Sequence, residues 1–226
     1  MERSFEPEIL DGDGISEELA ARAYGELTTI HRLLGNTRCL LRSLRQDPLP
    51  IRRVLDIGCG RGGVLKEITR ELGVEGVGVD RARPGNGSSG IVKADAVRDR
   101  LPQADVGFSV FVAHHLSDVE LVQMIRNVRR SCRRLVLLDV VRGWLPLALF
   151  RTFVAPFVSP ITAADGQTSI RRAYAPRELR AVVADALAGT DARFRHSVAP
   201  FGLRQVVDIS YVGGRFGEAE LRAGTF

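Results

Sequence analysis

Val54-Leu55-Asp56-Ile57-Gly58-Cys59-Gly60-Arg61-Gly62-Gly63 is the stretch that decides the architecture. A short apolar run feeds a glycine-rich turn, and a helical pattern opens directly behind it. Glycine accepts positive φ and leaves room for a ligand against the backbone. A lone glycine makes an ordinary turn, whereas glycines at alternating positions after a strand make a ligand loop. Two spacings are satisfied at once. Gly58, Gly60 and Gly63 fit the Gly-x-Gly-x-x-Gly dinucleotide fingerprint. Asp56, Gly58, Gly60 and Gly62 fit a second pattern, with a carboxylate just ahead of the turn. That carboxylate sits poorly beside an anionic pyrophosphate and suits a cationic group, whose pull on it grows in a partly desolvated cleft.

Outward from the loop, strand and helix patterns alternate. Residues 54–57 read as a strand and 62–72 as a helix stopped by Gly73. A second strand follows at 77–79, a turn at 84–90, and a third strand at 91–92. A fourth strand is expected at 106–112 and a fifth at 135–141. Between these two, Ser117 and Glu120 form a capping box for a helix running to about Arg130. A helix at 176–187 and strands at 193–198 and 205–211 complete the C-terminal part. Continuous apolar strands separated by helices imply a parallel sheet covered on both faces, a doubly wound α/β domain.

Ahead of the loop, residues 1–14 read as a loose arm. Ser16 with Glu17 and Glu18 is a helix start, and Leu19, Ala23, Leu27, Ile30 and Leu34 recur at helical spacing. Gly35-Asn36 interrupts this helix, and a second runs to about Arg45. The division expected is a helical cap over 1–50 and one globular unit over 51–226.

Two further acids stand at strand ends. Asp80 lies twenty residues beyond Gly60, where a carboxylate accepts hydrogen bonds from ribose hydroxyls. This serves any adenosine cofactor. Asp95, in Lys93-Ala94-Asp95-Ala96, can accept from an adenine amino group, with the Ala96 N–H donating to a ring nitrogen. Ligands of open α/β sheets bind at these carboxyl ends.

Composition narrows the classes. The chain has 226 residues, 45% hydrophobic and 26% charged, as in an ordinary globular protein. The net charge is +5, but only Lys66 and Lys93 are lysines, which points to GC-rich coding rather than to a basic ligand. The clusters Arg52-Arg53, Arg129-Arg130, Arg133-Arg134 and Arg171-Arg172 read as solvated ends, so no nucleic-acid partner is expected. Cys39, Cys59 and Cys132 have no metal-ligand spacing, and neither a metal nor a disulfide framework is expected. The acidic start lacks an apolar signal core, and residues 144–161 are too broken by Arg151 and prolines to span a membrane. A cytoplasmic bacterial enzyme fits, with a homodimer as a possible assembly.

Residues 51–140 resemble the class I S-adenosylmethionine-dependent methyltransferases. The pieces that carry the resemblance are VLDIGCGRGG (54–63), VEGVGVD (74–80), IVKADA (91–96), ADVGFSVFVAHHL (104–116) and RRLVLLDV (133–140), in that order. The resemblance implies a Rossmann-like sheet of seven strands, mostly parallel with the last antiparallel, plus N-terminal helices. It implies S-adenosyl-L-methionine as cofactor, held by Asp56, Gly58, Cys59, Gly60 and Gly62, by Asp80 and Arg81, and by Asp95 and Ala96. Phe111 and Val112, after the fourth strand, lie beside it. Arg32 reaches in from the N-terminal helix, where Tyr24 either contacts the site or packs. The segment 165–179 further resembles a small bacterial subgroup acting on polyketide- or quinone-like phenols, which favours oxygen as the methylated atom. One departure stands out: RARPGNGSSG (81–90) is glycine- and proline-rich, so the family's helix after the second strand is absent or very short.

Methyl transfer is an in-line displacement that needs alignment of nucleophile and methyl group. A phenolic acceptor also loses a proton. His114 and His115 are the candidate catalytic bases, because an unperturbed imidazole titrates near pH 6.5. Residues 144–161 are candidates for a substrate cover, and Arg171, Arg172 and Tyr174 for acceptor binding. Two alternatives stay open: an NAD(P)-dependent oxidoreductase on the same loop, and a non-catalytic Rossmann-like binding protein. No Tyr-x-x-x-Lys pair supports a short-chain dehydrogenase, and no Asn-Pro-Pro-Tyr-like motif supports nitrogen chemistry.

Overall fold

The computed structural model describes residues 1–12, 14–81 and 90–211. The expected turn at 84–90 and the expected loss or shortening of the helix after Asp80 lie almost wholly outside them. Seven strands form one sheet: β1 (Arg53–Ile57), β2 (Glu75–Asp80), β3 (Ile91–Lys93), β4 (Val106–Val110), β5 (Arg134–Val140), β6 (Arg193–Val198) and β7 (Arg204–Ser210). Their order is β3-β2-β1-β4-β5-β7-β6. β1 to β5 pair in parallel, and β7 runs antiparallel to both β5 and β6. This is the Rossmann-like arrangement expected, with the last strand reversed.

Alternation along the strands builds two cores. Val54, Val106, Phe108, Val136 and Leu138 point to one face. There they meet Leu40 and Leu44 of α2 (Asn36–Arg45) and Ile68 of α3 (Gly63–Leu72). Leu55, Ile57, Leu135, Leu137, Val207 and Ile209 point to the other. They meet Leu121 and Ile125 of α4 (Asp118–Val128) and Val183 of α7 (Pro176–Leu187). Each such side chain contributes roughly 1.5–3 kcal/mol relative to exposure. Burial of these stripes therefore outweighs helix propensity in holding the layers.

Local signals set most ends. α1 (Glu17–Leu33) begins where Ser16 Oγ accepts from Leu19 N at 3.3 Å, and the Ser117–Glu120 capping box opens α4. Strand β4 is shorter than expected because Phe111 turns to φ 59°. The apolar stretch 144–161, broken by Arg151 and prolines, is still mostly helical. It contains α5 (Trp144–Phe153) and leads into α6 (Pro160–Arg172), with Pro146 in the first turn of one helix and Pro160 opening the other. Proline is tolerated there, since the missing N–H would be unpaired anyway.

The arm at residues 1–12 is not loose. Arg3 Nε donates to Arg172 O at 2.8 Å, and its guanidinium lies 3.6 Å from the Tyr174 ring centre. The buried Asp165 carboxylate on α6 accepts from Ile9 N and Leu10 N, at 2.7 and 3.0 Å. The Arg133-Arg134 pair is not a solvated end either. Arg134 is buried and donates to Asp208 and Asp47, while Arg133 grips both oxygens of Asp47. No described helix is long and apolar enough to cross a membrane.

Candidate active site

The strand order reverses between β1 and β4, so the loops leaving their carboxyl ends diverge and open a crevice. A cavity of about 720 Å³ lies there. It brings together Asp56, Gly58, Cys59, Gly60, Asp80, Arg81, Asp95, Ala96, Phe111, Val112, His114 and His115. Gly62 and Arg32 do not line it. Gly62 instead starts α3 at φ 75°. Arg32 is exposed, and its neighbour His31, about 100° round the helix, faces the cavity.

Asp56 stands mid-sheet on β1, between Gly78 of β2 and Phe108 of β4. It is 2% exposed, and its Oδ2 has no hydrogen-bond partner among the described residues. Burial, and then the charge of Asp80, push its carboxyl well above the usual range. An unpaired buried polar group is costly, and a cationic ligand group at this point would relieve it.

The turn above Asp56 is pinched from two sides. Gly58 has φ 71°, and a Cβ there would lie 2.4 Å from Val112 Cγ2. At Gly60 a Cβ would lie 2.8 Å from Tyr24 Cε1, so Tyr24 is seated on the loop. Gly60 N donates to Asp80 Oδ2 at 2.7 Å, which closes the loop onto the end of β2. Asp95 Oδ1 accepts from Val97 N at 2.9 Å and so braces the turn after β3. Cys59 is packed over Gly78. Burial, with repulsion from Asp56 and Asp80, pushes its thiol up.

Helix α1 roofs this end. Arg61 pairs with Glu17 at 2.8 Å and lies 5.4 Å from the Tyr24 ring centre, tying helix to loop. His31 meets Phe111 edge-on at 4.7 Å. Burial pulls its pKa down to about 4, so it is neutral at pH 7. Phe111 holds a left-handed backbone that a bulky residue rarely adopts. Its N–H donates to Leu138 O at 2.8 Å, which helps to hold that turn.

The histidines line the same cavity from a short turn after β4 (Ala113–His115). His114 is 2% exposed. Its Nδ1 is 2.7 Å from Asp139 Oδ1 on β5, and its backbone N–H donates to Asp139 Oδ2 at 2.9 Å. Its Nε2 faces Glu8 Oε1 at 3.3 Å without hydrogen-bond geometry. Burial disfavours the charged ring, but Asp139 and Glu8 outweigh it and raise the pKa to about 9. The value near 6.5 expected from the sequence therefore does not hold for His114, which carries positive charge at neutral pH. His115 Nε2 is 3.7 Å from the same Glu8 oxygen, and its Nδ1 is 3.2 Å from Asp11 Oδ2. Ser169 Oγ on α6 donates to Glu8 Oε1 at 2.7 Å.

Glu8 and Asp11 were not singled out by the sequence. They sit in an aperiodic arm more than a hundred residues from the histidines they meet. None of the three acceptor-binding candidates lines the cavity. The Tyr174 hydroxyl donates to Leu116 O, Arg172 braces the arm through Glu6 O and Asp11, and Arg171 O accepts from Ser4 N. α5 contributes nothing to the cavity wall, and α6 contributes Ser169.

The fold is that of the class I S-adenosylmethionine-dependent methyltransferases. No protein-family model matches the chain, and no curated protein matches it in sequence. Among solved structures it is similar to the plantazolicin methyltransferase BpumL in complex with SAH, at TM-score 0.67 and 12% identity, covering 89% of this chain and 92% of that one. It is also similar to the pyocyanin biosynthetic protein PhzM, at TM-score 0.52 and 16% identity, covering 76% and 53%. Human N-acetylserotonin methyltransferase in complex with SAM aligns at TM-score 0.52 and 16% identity, over 92% and 62%.

Proposed function

We propose that this chain transfers a methyl group from S-adenosyl-L-methionine to an oxygen of a small phenolic, polyketide- or quinone-like acceptor. The observation that carries the reading is the buried, unpartnered Asp56 oxygen beneath the pinched Gly58–Gly60 turn. This end of the cavity suits the cationic amino acid end of the cofactor and opposes a pyrophosphate, which disfavours NAD(P). We read Asp80 and Arg81 as the ribose contacts and Asp95 and Ala96 as the adenine contacts; all four line the cavity. The structural neighbours, crystallised with SAH or SAM, support the same cofactor. The helical part over 1–50 is read as a cap, with Tyr24 and His31 closing over the bound cofactor.

The cofactor supplies an electrophilic methyl group on a sulfonium. The chain supplies position and electrostatics. Phe111 and His31 give the cavity an aromatic wall against which a flat acceptor can lie. Glu8, His114 and His115 face the acceptor end, where positive charge held by Glu8 and Asp139 steadies an oxygen losing its proton.

Titration calorimetry with SAH, S-adenosylmethionine and NAD tests the reading. Both sulfur compounds are expected to bind and NAD is not. Asp80→Ala should weaken SAH by roughly 1–3 kcal/mol, the range for a lost buried partner. Tight NAD binding without SAH binding would reverse the assignment.

A further inference from the structure

We infer that Glu8, His114 and His115 form a binding site for one divalent transition-metal ion at the acceptor end of the cavity. The catalytic meaning of this site rests on the methyltransferase reading; the site itself rests on geometry alone. Two imidazoles and one carboxylate offer ligand atoms that all lie within 4.8 Å of one another. Both histidine Nε2 atoms face the same oxygen, Glu8 Oε1, at 3.3 and 3.7 Å. Ligands about 2.1 Å from a metal lie roughly 3–4 Å apart, so small side-chain rotations suffice to close the shell.

The outer contacts give the stronger argument. A metal-bound histidine commonly donates its second ring N–H to a carboxylate, which fixes tautomer and ring orientation. Both histidines here are held that way: His114 Nδ1 by Asp139 at 2.7 Å and His115 Nδ1 by Asp11 at 3.2 Å. This leaves both Nε2 atoms for the ion, which displaces the proton that His114 carries in its absence. His114 Nε2 is buried, lacks a hydrogen bond and is aimed at the cluster. The Glu8 carboxylate is steadied by Ser169 Oγ at 2.7 Å. A protonated histidine beside Glu8 explains one of these rings. It does not explain why a second ring presents its Nε2 to the same oxygen with its own carboxylate behind it.

Two imidazoles and a carboxylate suit Zn²⁺, Fe²⁺ or Co²⁺ better than Mg²⁺ or Ca²⁺. Three protein ligands leave positions open toward the cavity, as in sites that act on a substrate. An acceptor hydroxyl bound there releases its proton to solvent more readily. Its oxygen lone pair then forms the O–C bond to the methyl group as the S–C bond breaks. The sulfur keeps that bonding pair and leaves as the neutral thioether.

Metal-stripped full-length protein titrated with Co²⁺ tests the inference. The expected result is one equivalent bound, with visible ligand-field bands that intensify on saturation. Glu8→Gln and His115→Ala should each weaken Co²⁺ at least about tenfold, and Asp139→Asn by about 10–100-fold, as for outer-shell partners. Unchanged melting curves verify folding, and His115, at the cavity rim, is the substitution least damaging to the core. Co²⁺ bound equally by wild type, Glu8→Gln and His115→Ala would overturn the site, as would no binding at all. SAH calorimetry on the same samples separates the two readings. SAH binding without Co²⁺ binding removes the metal and leaves the methyltransferase; Co²⁺ binding without SAH binding keeps the metal site and removes its catalytic meaning.

Discussion

At Gly58 a side chain has nowhere to go. Its φ of 71° disfavours any L-residue, and a Cβ would meet Val112 Cγ2 at 2.4 Å. Gly35 has the same φ of 71° but nothing within 4 Å of a Cβ. The comparison separates backbone strain from occupied space. Gly35→Ala should cost about 1–2 kcal/mol of stability, the left-handed penalty alone, and leave SAH affinity unchanged. Gly58→Ala should cost more and weaken SAH at least about tenfold, because Val112 and the loop must separate; about 1.4 kcal/mol corresponds to that factor. Denaturant melts and calorimetry on the pair provide the check, and equal behaviour of the two variants would refute the pinched loop. This part of the site was legible in the sequence because it is local: the strand, Asp56 and the glycines are contiguous. Glu8 was not legible, since no residue near it in the chain foreshadows two histidines a hundred positions away. Arg32 was misplaced by a single position, as the periodicity of α1 did not say which polar residue turns inward.

Helices were legible where a cap and a stripe coincide, as at Ser16 and Ser117, and hidden where proline opens them. Pro146 and Pro160 read as breakers, yet both occupy first turns, and α6 is capped by Ser159 Oγ accepting from Thr162 N. A side chain from α1 completes that cap. Glu26 Oε2 accepts from Ser159 N at 3.0 Å and from Ser159 Oγ at 2.7 Å. Burial alone would raise its pKa, but hydrogen bonds from Thr162 and Ser159 outweigh it and lower the value to about 2. A depressed carboxylate stabilises the fold above its unfolded pKa, and that contribution disappears as pH falls through the folded one. The window here runs from about pH 4.5 down to about pH 2. Wild type should therefore lose about 1–2 kcal/mol more than Glu26→Gln across it, after allowance for the solvent reaching this site. Urea melts at pH 5 and pH 2.5 measure the difference, and parallel losses would show that Glu26 does not tie α1 to α6.

For the molecule as a whole, the sheet follows from short apolar runs in order, and each run is visible in its own residues. The placement of the arm follows from contacts that span the chain. Asp165 holds Ile9 N and Leu10 N across 156 and 155 positions, and Arg3 reaches Arg172 across 169. Composition suggested a loose acidic segment because its partners are polar and distant, with no apolar stripe to announce them. These bonds fix the arm that carries Glu8 and Asp11, and none of them involves Asp56, Gly58 or Gly60. The two ends of the cavity should therefore respond separately. Hydrogen bonds to a charged group contribute about 1.5–3 kcal/mol each, and Asp165→Ala removes two. The arm should then sample positions in which Glu8 no longer faces the histidines. With a phenolic acceptor that is turned over, kcat/KM should fall at least about tenfold, or about 1.4 kcal/mol. The SAH dissociation constant should stay within about threefold of wild type, roughly 0.7 kcal/mol. A matched fall in both quantities would mean that the arm supports the whole fold rather than the acceptor end alone.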